Sequence, residues 1–286
     1  MADKTRIQTL INSLDELPTL PSVFFTVNKM LSDPRTSAID IGKAISLDQV
    51  IASKVLKLAN SSFYGFTSRV NTIPHAVAVL GFSSTKNIVL TTSVISTLNL
   101  KARIKGFSLA DFWKHSAAVG TIAKLIANES YPQKREEAFV AGLLHDIGKL
   151  ILAICAPEFF AETIKLAISK NCLFLEVEKE VVGISHPETV AHINNKWNLP
   201  EEITAVIINH HRNIGDAGEY AMLTAIVQLA DILARGLQFG HPCDFSMPII
   251  EDNVLDLIKI TPKKLDKILR DSYESLQSAM VFVKPD

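Results

Sequence analysis

From Ser37 onward the apolar residues recur three and four positions apart, at Ile41 and Ile45 and then at Ile51, Val55 and Leu58. That spacing lines one face of an α-helix, and Thr36 or Ser37 offers a hydroxyl to cap the first turn. Upstream, Leu17-Pro18-Thr19-Leu20-Pro21 cannot be helical throughout, because each proline lacks a backbone donor and pushes its predecessor toward extended geometry. It reads as a rigid lead-in to the first helices. Asn60-Ser61-Ser62-Phe63-Tyr64-Gly65 interrupts the pattern; Pro74 then opens a helix that Gly81 closes, and Ser83 caps another running to about Leu98.

A short linker over 101–106 precedes a new start at Ser108, where Asp111 three residues on completes a capping-box pattern. Helical patterns follow at about 108–128, 137–154, 158–169, 173–183, 187–197, 200–211, 219–238 and 261–280. Strand-like alternation is absent over any convincing length, and no repeat of fixed period is present. The stretch from Gly236 to Asn253 is loosely patterned, and the tail after Met280 is expected to fray. The expected fold is all-α, with an N-terminal helical bundle over 1–105 packed on a C-terminal helical domain over 106–286.

Composition narrows the setting. A chain of 286 residues with 48% apolar residues, 12 Gly and 12 Pro buries a sizeable core. A net charge of −1 from 29 basic and 30 acidic residues supplies no general attraction to nucleic acid or an anionic membrane. Phe63, Tyr64 and Phe66 beside Arg69 read as core anchors near a glycine turn rather than as a nucleic-acid surface. Cys155, Cys172 and Cys243 are odd in number and far apart, which suits a reduced cytoplasm better than a disulfide framework or a zinc ribbon. The start, Met1-Ala2-Asp3-Lys4-Thr5-Arg6, is not followed by a signal-peptide core, and no run approaches about 20 uninterrupted apolar residues. A cytoplasmic protein without membrane contact is therefore expected.

Chemistry concentrates in the second half. His145 and Asp146 lie inside the apolar segment Ala141–Leu150, where an unpaired carboxylate costs several kcal/mol to bury. Asp231 repeats the anomaly in a helix apolar on nearly every side. His210 shares the inner face marked by Ile203, Val206 and Ile207, with His211 beside it; His115 and His186 complete seven groups. Taken singly, a helical histidine is most often a satisfied core or surface residue. Together, imidazoles and carboxylates suit one or two divalent ions of zinc, iron, manganese or nickel.

The order H, HD, H, HH, D from His115 to Asp231 resembles the HD superfamily. Leu17–Pro21, Leu58–Ser62, Ile73–Gly81, Trp113–Ser116 and Gly142–Lys149 resemble the HDOD family, with Gly183–Glu188 and Trp197–Glu201 continuing the pattern. The likeness runs from about Leu14 to Leu237, and Val190 stands where a small residue is usual. It implies an HD-type C-terminal domain and a regulatory or output role in bacterial signalling through a protein partner. The competing reading is a metal-dependent phosphohydrolase or phosphodiesterase. On either reading a metal is expected at His115, His145, Asp146 and Asp231, with His186, His210 and His211 completing a second site if there is one. Lys149, one turn after His145, is the candidate catalytic residue, touching a small phosphate-containing ligand; its alternative is a lysine reaching into solvent. Arg212, rather than an acidic residue, follows the histidine pair, and no Gly-Tyr-Pro is present after it, which disfavours a cyclic-dinucleotide phosphodiesterase of the HD-GYP type.

Overall fold

Fifteen α-helices carry the described residues, and among these no strand occurs. The computed structural model describes residues 4–66, 68–98, 100 and 103–283. In chain order the helices are α1 (Lys4–Glu16), α2 (Ser22–Leu31), α3 (Ala38–Ser46), α4 (Gln49–Ala59) and α5 (Ile73–Thr97). There follow α6 (Leu109–Ser130), α7 (Arg135–Leu144), α8 (Ile147–Cys155), α9 (Pro157–Lys170) and α10 (Phe174–Val181). The last are α11 (His186–Trp197), α12 (Glu201–Asn209), α13 (Ala221–Gly236), α14 (Asp252–Ile258) and α15 (Pro262–Ala279). The all-α class expected from the spacing is the class observed.

The chain forms two compact units. One contains Pro18–Thr97 and Glu274–Asp286. Here α3 begins with a reciprocal cap, Ser37 Oγ accepting the Asp40 N–H at 3.2 Å while Asp40 Oδ2 accepts the Ser37 N–H at 3.1 Å. Helix α5 breaks at Gly81, whose φ of 80° belongs to the left-handed region that glycine enters at least cost. Asn60 closes the loop after α4 by bonding both ways with the Val70 backbone, at 2.7 and 2.8 Å. The expected fraying after Met280 does not extend to Phe282, which is buried and meets the Phe63 ring edge-on with centroids 5.0 Å apart.

The other unit contains Met1–Leu17 and Leu98–Tyr273. A cut near Lys105 therefore misses two exchanges, because α1 belongs with the second half and the C-terminal turn with the first. Helix α1 buries Leu10 and Leu14 and packs against α8 and α11. Linear order cannot show which apolar surface a terminal amphipathic helix covers. Of the expected linker, Lys101 and Ala102 lie outside the described residues. Helix α6 packs against α7 and α13, and α11 against α8, so the histidine-bearing helices share one core. Val190 is fully buried there, so its bulk is accommodated. By length and composition 132–155 and 214–236 are apolar enough to cross a membrane; the first is largely buried in this unit and is interrupted at His145 and Asp146.

Candidate metal centre

The pattern over 137–154 reads as one helix, but the chain breaks it at the histidine–aspartate pair. His145 keeps helical dihedrals (φ −53°, ψ −39°), Asp146 leaves them (φ −100°, ψ 9°), and α8 resumes at Ile147. A side chain explains the local exchange: His145 Nδ1 lies 2.7 Å from the Gly142 carbonyl and takes up that acceptor. The break turns both side chains inward, where each is fully buried.

Three histidines are oriented in the same way. His145 Nδ1–H donates to Gly142 O, His210 Nδ1–H donates to Ile207 O at 2.7 Å, and His186 Nδ1–H sits 3.0 Å from both oxygens of Glu178. In the neutral ring each bond places the proton on Nδ1 and leaves an Nε2 lone pair pointing into the core. The pairs converge on Asp146, whose Oδ1 lies 3.2 Å from His186 Nε2 and 3.4 Å from His210 Nε2. His186 Nε2 and His210 Nε2 stand only 3.4 Å apart. Two facing lone pairs at that distance call for a shared proton or a cation between them.

Orphaned atoms point the same way. Asp146 Oδ1, His145 Nε2 and His211 Nε2 are buried without a hydrogen-bond partner, an arrangement that costs free energy unless something binds there. Donor atoms of Asp146, His186, His210 and His211 all lie within 4.8 Å of one another, as do those of His115, His145 and Asp146. Neutral imidazoles with a carboxylate fit a divalent transition ion.

The electrostatics separate the histidines. Burial pushes His210 down to about 4 and His211 well below the usual range, so both stay neutral and able to ligate. Burial also lowers His115, against the pull of Asp231. At His186 burial opposes the proton, but Glu178 and Asp146 outweigh it and raise the value to about 9. His145 is raised in the same sense, Asp146 and Asp231 outweighing burial. Burial alone would raise Asp146 and Asp231; Lys149 and His145 hold the first, and Arg235 and His115 the second, well below the ordinary carboxylate range.

Two expected roles meet competitors. Asp231 Oδ1 lies 3.0 Å from His115 Nε2 and 3.8 Å from His145 Nε2, but Arg235 one turn on grips both oxygens at 2.9 and 2.7 Å. Lys149 reaches neither solvent nor an open phosphate position. It is 1% exposed, and its three N–H groups go to Asp146 Oδ2 (2.8 Å), Asp244 Oδ2 (2.8 Å) and Pro242 O (3.1 Å). A buried ammonium satisfies all its donors, and here internal carboxylates were closer than solvent.

Glu178, Arg235 and Asp244 are the residues the sequence reading missed. Arg235 stands four after Asp231 and Glu178 four after the buried Phe174, so helical spacing holds a signal for both. Asp244 lies in an aperiodic loop and gave none. Its Oδ2 binds Lys149 and, at 2.9 Å, Arg235, while its Oδ1 accepts the Phe174 N–H at 2.6 Å. The loop is seated on α6, where the His241 N–H donates to Asp111 O at 3.1 Å and Gly240 leaves no room for a Cβ, which would come 2.2 Å from that oxygen. A cleft of about 140 Å³ reaches the cluster from outside, bordered by His210, His211, Arg212, Gln228, Asp231 and the 248–251 segment.

Residues 17–213 match the model of the HDOD domain. The chain belongs to the HDOD family. A crystal structure of an HDOD domain protein of unknown function from Geobacter sulfurreducens is 25% identical, with a TM-score of 0.77 over 98% of this chain and 99% of that one. A Shewanella amazonensis structure, provisionally named a phosphohydrolase, shares the fold at 24% identity and a TM-score of 0.72, covering 96% of this chain and 98% of that one. An uncharacterized protein of Treponema pallidum is 24% identical over 272 residues, 95% of this chain. The HDOD chain spans about half the length of that curated relative, 51%.

Proposed function

We propose that this HDOD protein is a bacterial signalling output module, acting through a protein partner, whose buried cluster holds a divalent metal that sets its conformation rather than turning over a substrate. One observation carries the reading: Lys149 and Arg235, the cations inside the cluster, are each committed to internal carboxylates. A phosphoryl-transfer site keeps cationic donors aimed at the developing charge of its substrate. The identity of the ion falls among iron, zinc, manganese and nickel on donor chemistry. Three free thiols suit a reducing, cytoplasmic setting.

The test is metal content of the purified chain together with a panel of phosphoesters supplied with added Mn²⁺. The expected result is retained metal without turnover. Hydrolysis that disappears in His145→Ala would instead establish a metal-dependent phosphohydrolase. That second reading draws on the cleft bordered by His210, His211 and Arg212, which admits a small phosphate-sized group, and on the name given to the Shewanella protein. When bound, a divalent ion with an open position acidifies its water and polarises a phosphoryl oxygen. His186 and His210 would then hold it through Nε2, each oriented by its Nδ1 acceptor, together with Asp146 and His211.

A further inference from the structure

We propose that Lys149 and Arg235, joined through Asp244, occupy the place of a second cation, so that the cluster takes a single divalent ion between Asp146, His186, His210 and His211. The inference rests on the reading that the cluster holds a metal at all. It concerns how many ions are held, where, and which residues of this chain decide it.

The two oxygens of Asp146 face different company. Oδ1 lies toward His186 and His210 and has no hydrogen-bond partner, whereas Oδ2 is bound by Lys149 at 2.8 Å, with His145 Nε2 3.3 Å away. On the His115 side, Asp231 is the other carboxylate within reach, and Arg235 binds both its oxygens. The carboxylate atoms that would anchor an ion beside His115 and His145 are thus already neutralised by the protein. Those beside His186, His210 and His211 are not.

Charge gives the same answer. Asp146, Glu178, Asp231 and Asp244 are four buried carboxylates, and Lys149 and Arg235 carry two buried cationic heads, an excess of two negative charges once a bound ion has displaced the protons from the histidines. One divalent ion balances that excess. A second would leave two positive charges in a site whose side chains are nearly all excluded from water, a costly state. Asp244 holds the arrangement together, since its Oδ2 binds Lys149 and Arg235 at once.

The experiment uses the full chain, loaded with excess Mn²⁺ or Zn²⁺, passed through a desalting column and analysed for metal per chain. Wild type is expected to hold one ion. His115→Ala should still hold one, His210→Ala should retain it at least 10-fold more weakly, and Arg235→Gln should admit a second ion at the released Asp231. Two ions in wild type, loss of the ion in His115→Ala, or full retention in His210→Ala each overturns the inference. An absence of metal in folded wild type overturns the metal reading itself, which is a different result. If Arg235→Gln fails to give a folded circular-dichroism spectrum, the two histidine variants decide the matter alone.

Discussion

Gly148 offers the sharpest test of how the cluster is built. It stands in α8 between Asp146 and Lys149, at a crossing where the first residue of α11 passes against it. A Cβ placed on Gly148 would lie 2.0 Å from the carbonyl oxygen of His186, 2.6 Å from its carbonyl carbon and 3.0 Å from its Cα. Non-bonded heavy atoms settle near 3.5 Å, so Gly148→Ala requires one backbone to retreat by roughly 1.5 Å. Neither partner is a side chain that can rotate away. Overpacking costs about 1–3 kcal/mol, and alanine's better helix propensity returns about 1 kcal/mol, so a net loss of up to about 2 kcal/mol is expected. Urea unfolding with linear extrapolation measures it directly. The residue displaced is His186 itself, and metal–ligand distances tolerate only about 0.2 Å, so metal retention should fall in the same variant. Unchanged or raised stability with metal retention intact would refute the view that this glycine sets the α8–α11 approach.

Glu178→Gln keeps the shape of the His186 partner but removes its charge; by analogy with other outer carboxylate–histidine pairs, metal retention should weaken about 10- to 100-fold, read by chelator competition, and equal retention would contradict the orienting role. In the other unit, the Ser37 hydroxyl and backbone N–H hold the Asp40 carboxyl below its ordinary value. Its folded value is depressed, so the contribution is fully present above the unfolded value and is lost as pH falls through the folded one. The urea midpoints of wild type and Asp40→Asn should therefore differ near neutrality and converge on acidification to about pH 3; a gap independent of pH contradicts this assignment.

Much of the site was legible because burial of charge is anomalous. His145 and Asp146 in an apolar run, and Asp231 in an apolar helix, announce themselves by the cost of being there. The inward faces of His115 and His210 follow from period alone. The Gly81 break and the Ser37 cap were equally legible, since both use residue types with a local backbone reason. Helices α1 and α14 were not predicted. The first follows nothing but a weak amphipathic pattern, and the second lies at the end of a Gly- and Pro-rich stretch whose local chemistry favours loops. The break at His145–Asp146 escaped notice because the apolar period runs straight through it, and only the tertiary partners of the two side chains interrupt it.

The counter-charges were the least legible part, and they change what the cluster means. Seven candidate ligands in the family order suggest two ions when they are counted alone. By spacing alone Lys149 reads as a group turned toward a phosphate, and neither Arg235 nor Asp244 reads as part of the cluster. Once placed, the three form a buried chain, Asp146–Lys149–Asp244–Arg235–Asp231, that runs between the two carboxylates of the ligand set. Breaking such a chain at one member leaves an uncompensated buried charge, a loss of about 3–5 kcal/mol. The same residues that make the fold intolerant of change also keep the Lys149 and Arg235 charges on internal carboxylates. On the proposed reading the second half keeps the donors for a metal, while Lys149 and Arg235 are spent on holding those donors in place.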